Sequence, residues 1–236
     1  MATIGLIGGM SWESTAVYYR LLNEGVRERG GGLHSADVLL HSLDFAPIAE
    51  MQAKGDWAAA GAALAESARR LERAGASCLL LCTNTMHKVA DQITAATRLP
   101  FLHLADVTAR AILASGARRP LLLATRFTME QNFYRGRLQA FGVEALVPQP
   151  QERDEVHRII YEELCRGRIE PASRERYRAI VERAVRDEGA DGVILGCTEI
   201  GLLVSQDDFA VPAFDTTALH VAAALDYAGE VESVAA

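Results

Sequence analysis

Two short motifs, each following an apolar run, carry the residue types that proton-transfer chemistry needs. The first reads Leu79-Leu80-Leu81-Cys82-Thr83-Asn84-Thr85, and the second reads Val193-Ile194-Leu195-Gly196-Cys197-Thr198-Glu199. A thiol is a strong base and nucleophile once it is ionised, and neighbouring hydroxyl, amide and carboxylate groups can hold a polar substrate. The two motifs therefore predict two strands that deliver facing acid/base groups to one cleft.

The spacing of the motifs indicates an internal duplication. Cys82 and Cys197 lie 115 positions apart, and the segments Tyr18-Tyr19-Arg20 and Phe133-Tyr134-Arg135 have the same offset. This period is longer than the roughly 20–50 residues of a solenoid repeat and fits two related α/β lobes. The alternative is chance, because an apolar run followed by a turn recurs in any α/β protein.

Composition excludes several classes of protein. Of the 236 residues 50% are hydrophobic, and a net charge of −7 without a long basic run argues against binding to nucleic acid or an anionic membrane. The four cysteines lack the spacing of a disulfide framework or zinc site, so we predict no metal centre and a reducing compartment. No targeting segment precedes the first strand. We expect a cytoplasmic protein with a small-molecule substrate.

Apolar strand patterns alternate with helical patterns along the chain. Strands are predicted at residues 3–7, 36–43, 77–82, 101–104, 120–124, 143–147, 192–196 and 211–214. Helices are predicted at residues 12–29, 57–74, 86–98, 107–115, 129–141, 151–167, 172–188 and 217–227. This alternation predicts parallel sheets covered on both faces, in two pseudo-symmetric Rossmann-like lobes with the active site in the cleft between them. We assign residues 1–98 plus 208–236 to the first lobe and 99–207 to the second.

Ligands of open parallel sheets bind beyond the carboxyl ends of the strands, where both motifs lie. If Thr198 or Glu199 opens a helix, the helix dipole would lower the pKa of the Cys197 thiol. The alternative is a buried structural cysteine. Glu199 either orients Cys197 or favours the helix N-terminus electrostatically.

Two loops after strands are candidates for binding a carboxylate. In the first, Gly8 and Met10 precede a helix and can present backbone N–H donors, although the glycine spacing is not that of a dinucleotide-binding loop. In the second, Thr125 and Arg126 lie in the corresponding place. Ordinary helix capping by Thr125 is a competing interpretation.

Three blocks of sequence resemble one enzyme family over essentially the whole chain. They are Ile4-Gly5-Leu6-Ile7-Gly8-Gly9-Met10-Ser11, Thr83-Asn84-Thr85-Met86-His87 and Gly196-Cys197-Thr198-Glu199-Ile200. They resemble the cofactor-independent aspartate/glutamate racemases, and most closely the broad-specificity amino-acid racemases among them. The resemblance implies a homodimeric isomerase without pyridoxal phosphate, in which two facing residues, typically cysteines, exchange the α-proton of an amino acid across a planar carbanion.

One catalytic position departs from the family pattern. The usual motif is Cys-Asn-Thr, and alignment on Asn84 puts Thr83 in the first catalytic position, whereas the internal repeat pairs Cys82 with Cys197. Neighbouring strand residues point to opposite faces, so at most one of Cys82 and Thr83 can face the cleft. We predict Thr83 and Cys197 as the catalytic pair and Cys82 as core packing. A hydroxyl is a poorer base than a thiol, so this asymmetry predicts unequal saturated rates for the two enantiomers.

The substrate-binding residues are inferred from the same motifs and loops. The resemblance implies that Asn84, Thr85 and Thr198 hold the substrate carboxylate, although they also satisfy the backbone of their turns. The segment 44–52 lacks the cation of acid-specific members, and Gln52 suits a neutral side chain, which favours broad specificity; Arg126 and Lys88 are candidates for restoring an acid preference. The full predicted set is Met10, Gln52, Asn84, Thr85, Thr125, Thr198 and Glu199.

Other functions remain open at this point. Relatives with the same lobes isomerise maleate or decarboxylate arylmalonates, and a homologue without the first thiol could bind amino acids without catalysis. Glutamate racemase fits less well, because its Asp-Ser-Gly motif is missing at Ile7-Gly8-Gly9-Met10-Ser11. Among the histidines, His87 is interpreted as packing, capping or a proton relay, His103 as a core residue and His220 as solvated.

Overall fold

Two three-stranded parallel sheets organise the chain. The computed structural model describes residues 2–235, and the chain divides into two units, Met1–Leu104 with His220–Ala236 and Ala105–Leu219. Each unit contains one sheet with helices packed against it. The predicted α/β class with two parallel sheets is confirmed.

In the first unit the strand order is β2-β1-β3, and all pairs are parallel. Its strands are β1 (Ile4–Gly8), β2 (Val38–Ser42) and β3 (Cys78–Leu81). Its helices are α1 (Trp12–Gly30), α2 (Phe45–Lys54), α3 (Trp57–Arg73), a 3-10 helix at Thr85–Val89 and α4 (Ala90–Ala95).

In the second unit the strand order is β4-β5-β6, again parallel. Its strands are β4 (Leu121–Ala124), β5 (Val193–Gly196) and β6 (Ala213–Asp215). The helices are α5 (Leu104–Ser115), α6 (Arg126–Glu130), α7 (Asn132–Ala140), α8 (Pro150–Glu162), α9 (Pro171–Glu188) and α10 (Ile200–Leu203), with 3-10 helices at Leu164–Arg166 and Gln206–Asp208. The last helix, α11 (Thr216–Ala235), begins in this unit and continues in the first.

The first sheet buries both of its faces, and alternate strand residues enter two separate cores. Cys78, Leu80 and Cys82 pack with residues of α1 and α11 on one face. Leu79 and Leu81 pack with residues of α2, α3 and the 3-10 helix on the other. Burial of these side chains contributes about 25 cal/mol per Å² of apolar surface, so the alternation fixes the register of β3.

In the second sheet β4 and β5 are buried, whereas the edge strand β6 is half-buried at Ala213 and Asp215. The residues of β4 and the three apolar residues of β5 are at most 2% exposed. Gly196 is the last residue of β5, and a side chain does not fit there. A Cβ would lie 2.7 Å from the Leu122 side chain and 3.1 Å from that of Ala124. This close approach holds the chain against β4 immediately before Cys197.

Several predicted elements differ from the observed ones. The predicted helices at 86–98 and 129–141 are each broken, at Val89 and at the extended residue Gln131. The predicted strands at 101–104 and 143–147 are reduced to single bridges, Leu79 with Phe101 and Leu121 with Leu146. A helix begins at Leu104 in the first case, and in the second the chain reaches Pro148, which has no backbone N–H.

The boundaries of the units also differ from those expected. The segment around Phe101 was assigned to the second lobe, but its bridge to Leu79 joins it to the first sheet. Residues 208–219 were assigned to the first lobe, but β6 pairs with β5. Strand pairing therefore moves both boundaries towards the C-terminus.

His220 is not solvated, contrary to the sequence interpretation. Its side chain is fully buried in the first unit, where Nδ1 lies 2.9 Å from the Tyr18 hydroxyl and Nε2 lies 2.7 Å from the Leu102 carbonyl oxygen. Nε2 must donate to the carbonyl, so the neutral ring accepts the Tyr18 O–H at Nδ1. Burial lowers the pKa of His220 to about 4.

This burial predicts an acid-sensitive contribution to stability. The unfolded chain binds a proton at His220 near pH 6.5 and the folded chain only near pH 4, so the unfolding free energy falls as pH drops through that interval. The unfolding free energies of wild type and His220→Gln are measured at several pH values. We expect the advantage of wild type over the variant to fall by up to about 3 kcal/mol from pH 7 to pH 4. His34→Gln, at an exposed histidine, is the control. Parallel pH dependences of wild type and His220→Gln would contradict this prediction.

Candidate active site

Both motifs lie at the carboxyl ends of buried parallel strands, β3 in the first unit and β5 in the second. In the first unit, the residue after β3 is Cys82, and Thr83, Asn84 and the 3-10 helix follow. In the second unit, Cys197 follows β5 directly. These are the strand ends at which α/β proteins place their ligands.

The two strand ends have a common backbone register. In the first unit the Leu79 N–H donates to the carbonyl of Pro100 at 2.9 Å. In the second unit the Val193 N–H donates to the carbonyl of Pro212 at 2.8 Å. Each proline precedes the residue that bridges to the donor, Phe101 or Ala213. Leu79 and Val193 are therefore equivalent positions of the duplicated scaffold.

This register makes Thr83 the counterpart of Cys197. Each of the two lies four residues beyond the strand residue that donates to the proline. The offset of 115 that suggested Cys82 instead is one residue away from this alignment, so that part of the repeat interpretation is wrong. Cys82 is fully buried in the core, where burial raises the pKa of its thiol far above the usual range. Thr83, on the opposite parity, retains 9% exposure.

In the second unit Cys197 has a carboxylate partner. Its thiol donates to Oε2 of Glu199 at 2.9 Å. The pKa of Cys197 is raised well above the usual value, first by burial and then by the negative charge of Glu199, with a further contribution from Cys165. The thiol is therefore protonated in the resting protein, with an acceptor for its proton already in contact.

The predicted lowering of this pKa by a helix dipole is wrong. The helix after the motif, α10, begins only at Ile200 and has four residues, so its dipole is weak. Its first N–H donates to the Cys197 carbonyl oxygen at 3.0 Å. Burial and the adjacent Glu199 carboxylate outweigh that short helix.

Aromatic and thiol groups that sequence analysis did not assign surround Cys197. Burial is the main cause of a raised pKa at Tyr161, with smaller contributions from Cys197 and Cys165, so these groups are electrostatic neighbours. The His157 ring lies 4.7 Å from that of Tyr161. Their spacing in the sequence could have indicated this, because His157 and Tyr161 lie one turn apart on α8, next to its buried residues.

In the first unit the Thr-Asn-Thr segment is enclosed. Asn84 and Thr85 are 4% and 5% exposed. Gln52 of α2 is also buried, and its Nε2 lies 2.9 Å from Sδ of Met86. The structure therefore brings the predicted residue Gln52 against the turn that carries Thr83.

The two loop candidates are held by their own contacts. The Gly9 N–H donates to Oγ1 of Thr15 at 2.8 Å, and a Cβ at Gly9, where φ is +91°, would meet the Leu43 carbonyl oxygen. The neighbouring Met10 packs in the core beside α2 and α3. In the second unit Thr125 lies at the N-cap position of α6, but its hydroxyl lies 3.3 Å from that of Thr128 and does not cap a backbone N–H of the helix. The Thr125 carbonyl oxygen accepts the N–H groups of Thr128 and Met129.

Two cations considered for acid recognition contact protein groups. The guanidinium of Arg126 lies 2.9 Å from a carboxylate oxygen of Asp154. The ammonium of Lys88 lies 4.0 Å from the ring centroid of Trp57, and partial burial lowers its pKa. The Asp154 carboxylate offsets the charge of Arg126, whereas the neutral Trp57 ring does not neutralise that of Lys88.

A sequence model of the Asp/Glu/Hydantoin racemase family matches residues 7–224. The chain belongs to this family. It is 21% identical over 220 residues to the broad specificity amino-acid racemase RacX of Bacillus subtilis, covering 91% of this chain and 93% of that protein. The family assignment makes this protein an isomerase of the racemase type.

Solved structures agree with this assignment. The crystal structure of a putative Asp/Glu racemase from Yersinia pestis is 53% identical, with a TM-score of 0.89 over 97% of this chain and 99% of that chain. An aspartate racemase homologue from Pyrococcus horikoshii OT3 is 35% identical, with a TM-score of 0.87 over 97% and 100%. The fold of this racemase is therefore that of its relatives.

Within residues 2–235 no cluster of three His, Cys, Asp or Glu side chains has the arrangement of a metal site. No helix in that part of the racemase has the length and apolar character needed to cross a bilayer.

The contact between Cys197 and Glu199 predicts the direction of a pKa change. Glu199→Gln removes the negative charge that raises the thiol pKa, so the midpoint of alkylation against pH shifts to lower pH. We expect this in iodoacetamide titrations in a Cys165→Ser background, in which Cys197 is the one remaining partly exposed thiol among the described residues.

The matched control is Asp154→Asn, which removes the carboxylate paired with Arg126 and leaves Glu199 in place. This variant should keep the parental midpoint. A Glu199→Gln profile that coincides with its parent would show that the carboxylate does not act on the thiol.

Proposed function

We propose that this protein is a pyridoxal-phosphate-independent amino-acid racemase of broad specificity, with Cys197 and Thr83 as its proton-transfer residues. The observation that carries the proposal is the hydrogen bond from the Cys197 thiol to the Glu199 carboxylate at the end of β5. It provides a proton donor or, after transfer to Glu199, a thiolate base.

The raised pKa of Cys197 has two opposing effects on proton abstraction. The α-proton of an amino acid is very weakly acidic, so a thiolate of higher pKa is a stronger base for it, but forming that thiolate costs correspondingly more free energy. In one direction the thiol proton moves to Glu199, and the thiolate then takes the α-proton of the substrate. In the other direction the thiol gives its proton to the carbanion, and Glu199 returns its own proton to the sulfur.

Thr83 is proposed to act on the opposite face of the planar carbanion. Its equivalence to Cys197 in backbone register supports this role. A threonine hydroxyl has no accessible ionised form near neutral pH, so the proton passes between the carbanion and a water held by the hydroxyl. In the direction that begins at Cys197, the hydroxide left by the water takes a proton from bulk solvent and Glu199 releases its proton to bulk solvent, which closes the cycle. The other direction runs the same transfers in reverse.

The substrate carboxylate is assigned to the turns beside the two proton-transfer residues. Asn84, Thr85 and Thr198 combine hydroxyl or amide groups with the backbone N–H donors at the strand ends. Such fixed donors in buried surroundings stabilise negative charge as the carboxylate becomes enolate-like. Thr125 and Met10 remain predicted contributors at the two loops.

Broad specificity is inferred from Gln52 and from the ion pair of Arg126. Nε2 of Gln52 donates to Sδ of Met86, and the other end of the side-chain amide is a neutral acceptor oxygen. This oxygen suits a substrate with a hydroxyl or other donor. The pairing of Arg126 with Asp154 reduces its ability to select an acidic side chain.

The relatives point to both kinds of substrate. One is named a broad specificity amino-acid racemase and another an aspartate racemase homologue. A homodimer and a cytoplasmic location also remain predictions of the sequence analysis.

The first test follows loss of the α-proton in D₂O by proton NMR for a panel of L- and D-amino acids. Without added cofactor, we expect exchange by wild type and a loss of about 10²–10⁴-fold in Cys197→Ala. Cys82→Ala is the matched control, because it removes a buried thiol from the core; it should cost about 1 kcal/mol of stability and leave exchange unchanged. No exchange of any amino acid by folded wild type would overturn the proposal.

Thr83→Ala should separate exchange from inversion. With Cys197 intact, the enantiomer that faces the thiol still loses its α-proton and regains deuterium from the same face. Inversion requires the second face, so polarimetry should show racemisation falling by at least about tenfold while that exchange persists. Equal loss of exchange for both enantiomers, or racemisation at the wild-type rate, would remove Thr83 from the mechanism.

A further inference from the structure

We infer that His87 is the positioning residue of the Thr83 side of the site, because its imidazole fixes the peptide between Thr83 and Asn84. The inference rests on the proposed function and extends it to a residue that sequence analysis left as packing, capping or relay. Its expected effect is larger for proton transfer on the Thr83 face of the substrate than on the Cys197 face.

The His87 ring makes two backbone hydrogen bonds. Its Nδ1 lies 2.8 Å from the Thr83 carbonyl oxygen, and its Nε2 lies 3.2 Å from the Leu104 amide nitrogen. A carbonyl only accepts and an amide N–H only donates, so Nδ1 carries the proton and Nε2 accepts. The contacts therefore assign one neutral tautomer and tie the motif turn to the first residue of α5.

The bond to the carbonyl orients the next amide group. In a trans peptide the N–H points opposite to the C=O, so a Thr83 carbonyl held against the ring directs the Asn84 N–H away from it. Asn84 and Thr85 are the residues assigned to the substrate carboxylate. A rotation of this peptide about its flanking Cα atoms would turn that donor away from its present direction.

The second unit holds the equivalent carbonyl by another means. The Cys197 carbonyl oxygen accepts the backbone N–H of Ile200 at 3.0 Å, in the first turn towards α10. The position equivalent to His87 is Gly201, which has no side chain for this purpose. The imidazole is therefore particular to the Thr83 side and is not a general requirement of the scaffold.

Packing restricts the ring to this arrangement. His87 is 4% exposed, and its ring centroid lies 4.7 Å from that of His103 and 5.6 Å from that of Phe101. An enclosed ring with two directed hydrogen bonds loses little further freedom when the substrate binds, which is how preorganised sites reduce the barrier.

The kinetic test uses two partial replacements. Asn places an amide donor near the position of Nδ1 and preserves the bond to the Thr83 carbonyl; Gln places its amide near Nε2 and preserves the contact with Leu104. We expect His87→Gln to slow racemisation about tenfold at saturating substrate, with exchange of the enantiomer that faces Cys197 retained. His87→Asn should recover most of the loss.

His41→Gln is the control for a merely structural effect, because the His220 ring itself packs against His87, with 6.1 Å between the ring centroids. His41 is a half-buried histidine on β2 of the same unit, and its Nδ1 lies 2.9 Å from the Ser67 hydroxyl. Its replacement should leave the ratio of racemisation to exchange unchanged. Equal changes of that ratio in the His87 and His41 variants would overturn the inference.

A second readout is independent of catalysis. Long-range proton–nitrogen NMR of the imidazole side chains distinguishes the tautomers, and we expect His87 as Nδ1–H and His220 as Nε2–H at pH 7. Finding His87 as Nε2–H would overturn the inference even if the protein racemises amino acids. If wild type exchanges no amino acid while His87 is Nδ1–H, the proposed function fails but the assigned hydrogen bonds stand.

Discussion

Residue parity along two parallel strands is the constraint on which the candidate site depends. Because each of these strands is buried on both faces, alternate residues are committed to one core or the other. The bond from Leu79 to Pro100 and that from Val193 to Pro212 fix the same register in both units. Four residues later, one unit presents Thr83 and the other Cys197. A slip of one residue would exchange a core thiol for a site hydroxyl.

Electrostatics then distinguishes the two strand ends. At Cys197 burial and the Glu199 carboxylate disfavour the thiolate, and the same carboxylate accepts the hydrogen bond of the thiol. A depressed pKa would make a more abundant but weaker base. At Thr83 the backbone carbonyl contacts the His87 ring. In the proposed mechanism the Thr83 end therefore contributes position and hydrogen bonds, and the Cys197 end contributes the proton of a thiol paired with a carboxylate.

Sequence patterns predicted the fold class and most helices and strands, because buried parallel strands are continuously apolar and their helices alternate with them. They did not predict the breaks at Val89 and Gln131, which arise from local backbone conformations that periodicity does not record. Sequence analysis predicted a lowered pKa for Cys197 because it expected a helix dipole at this thiol. The burial of the thiol, which raises its pKa, depends on tertiary packing that the neighbouring residues in the sequence do not reveal. The offset of 115 residues between Cys82 and Cys197, shared with the Tyr18 and Phe133 segments, was misleading. The backbone hydrogen bonds pair Cys197 with Thr83, one residue after Cys82.

The two units therefore hold equivalent backbone carbonyls by different contacts. The Cys197 carbonyl, after β5, accepts a backbone N–H in the first turn towards α10, and the Thr83 carbonyl, after β3, contacts the His87 ring. Because a backbone N–H holds the Cys197 carbonyl, the neighbouring side chains are available for other contacts, and Glu199 accepts the thiol hydrogen bond. On the Thr83 side the neutral His87 ring fills the enclosed space beside the turn. Since a racemase cannot alter the equilibrium between enantiomers, this difference in base strength affects the individual rate constants for the two directions and not the final composition.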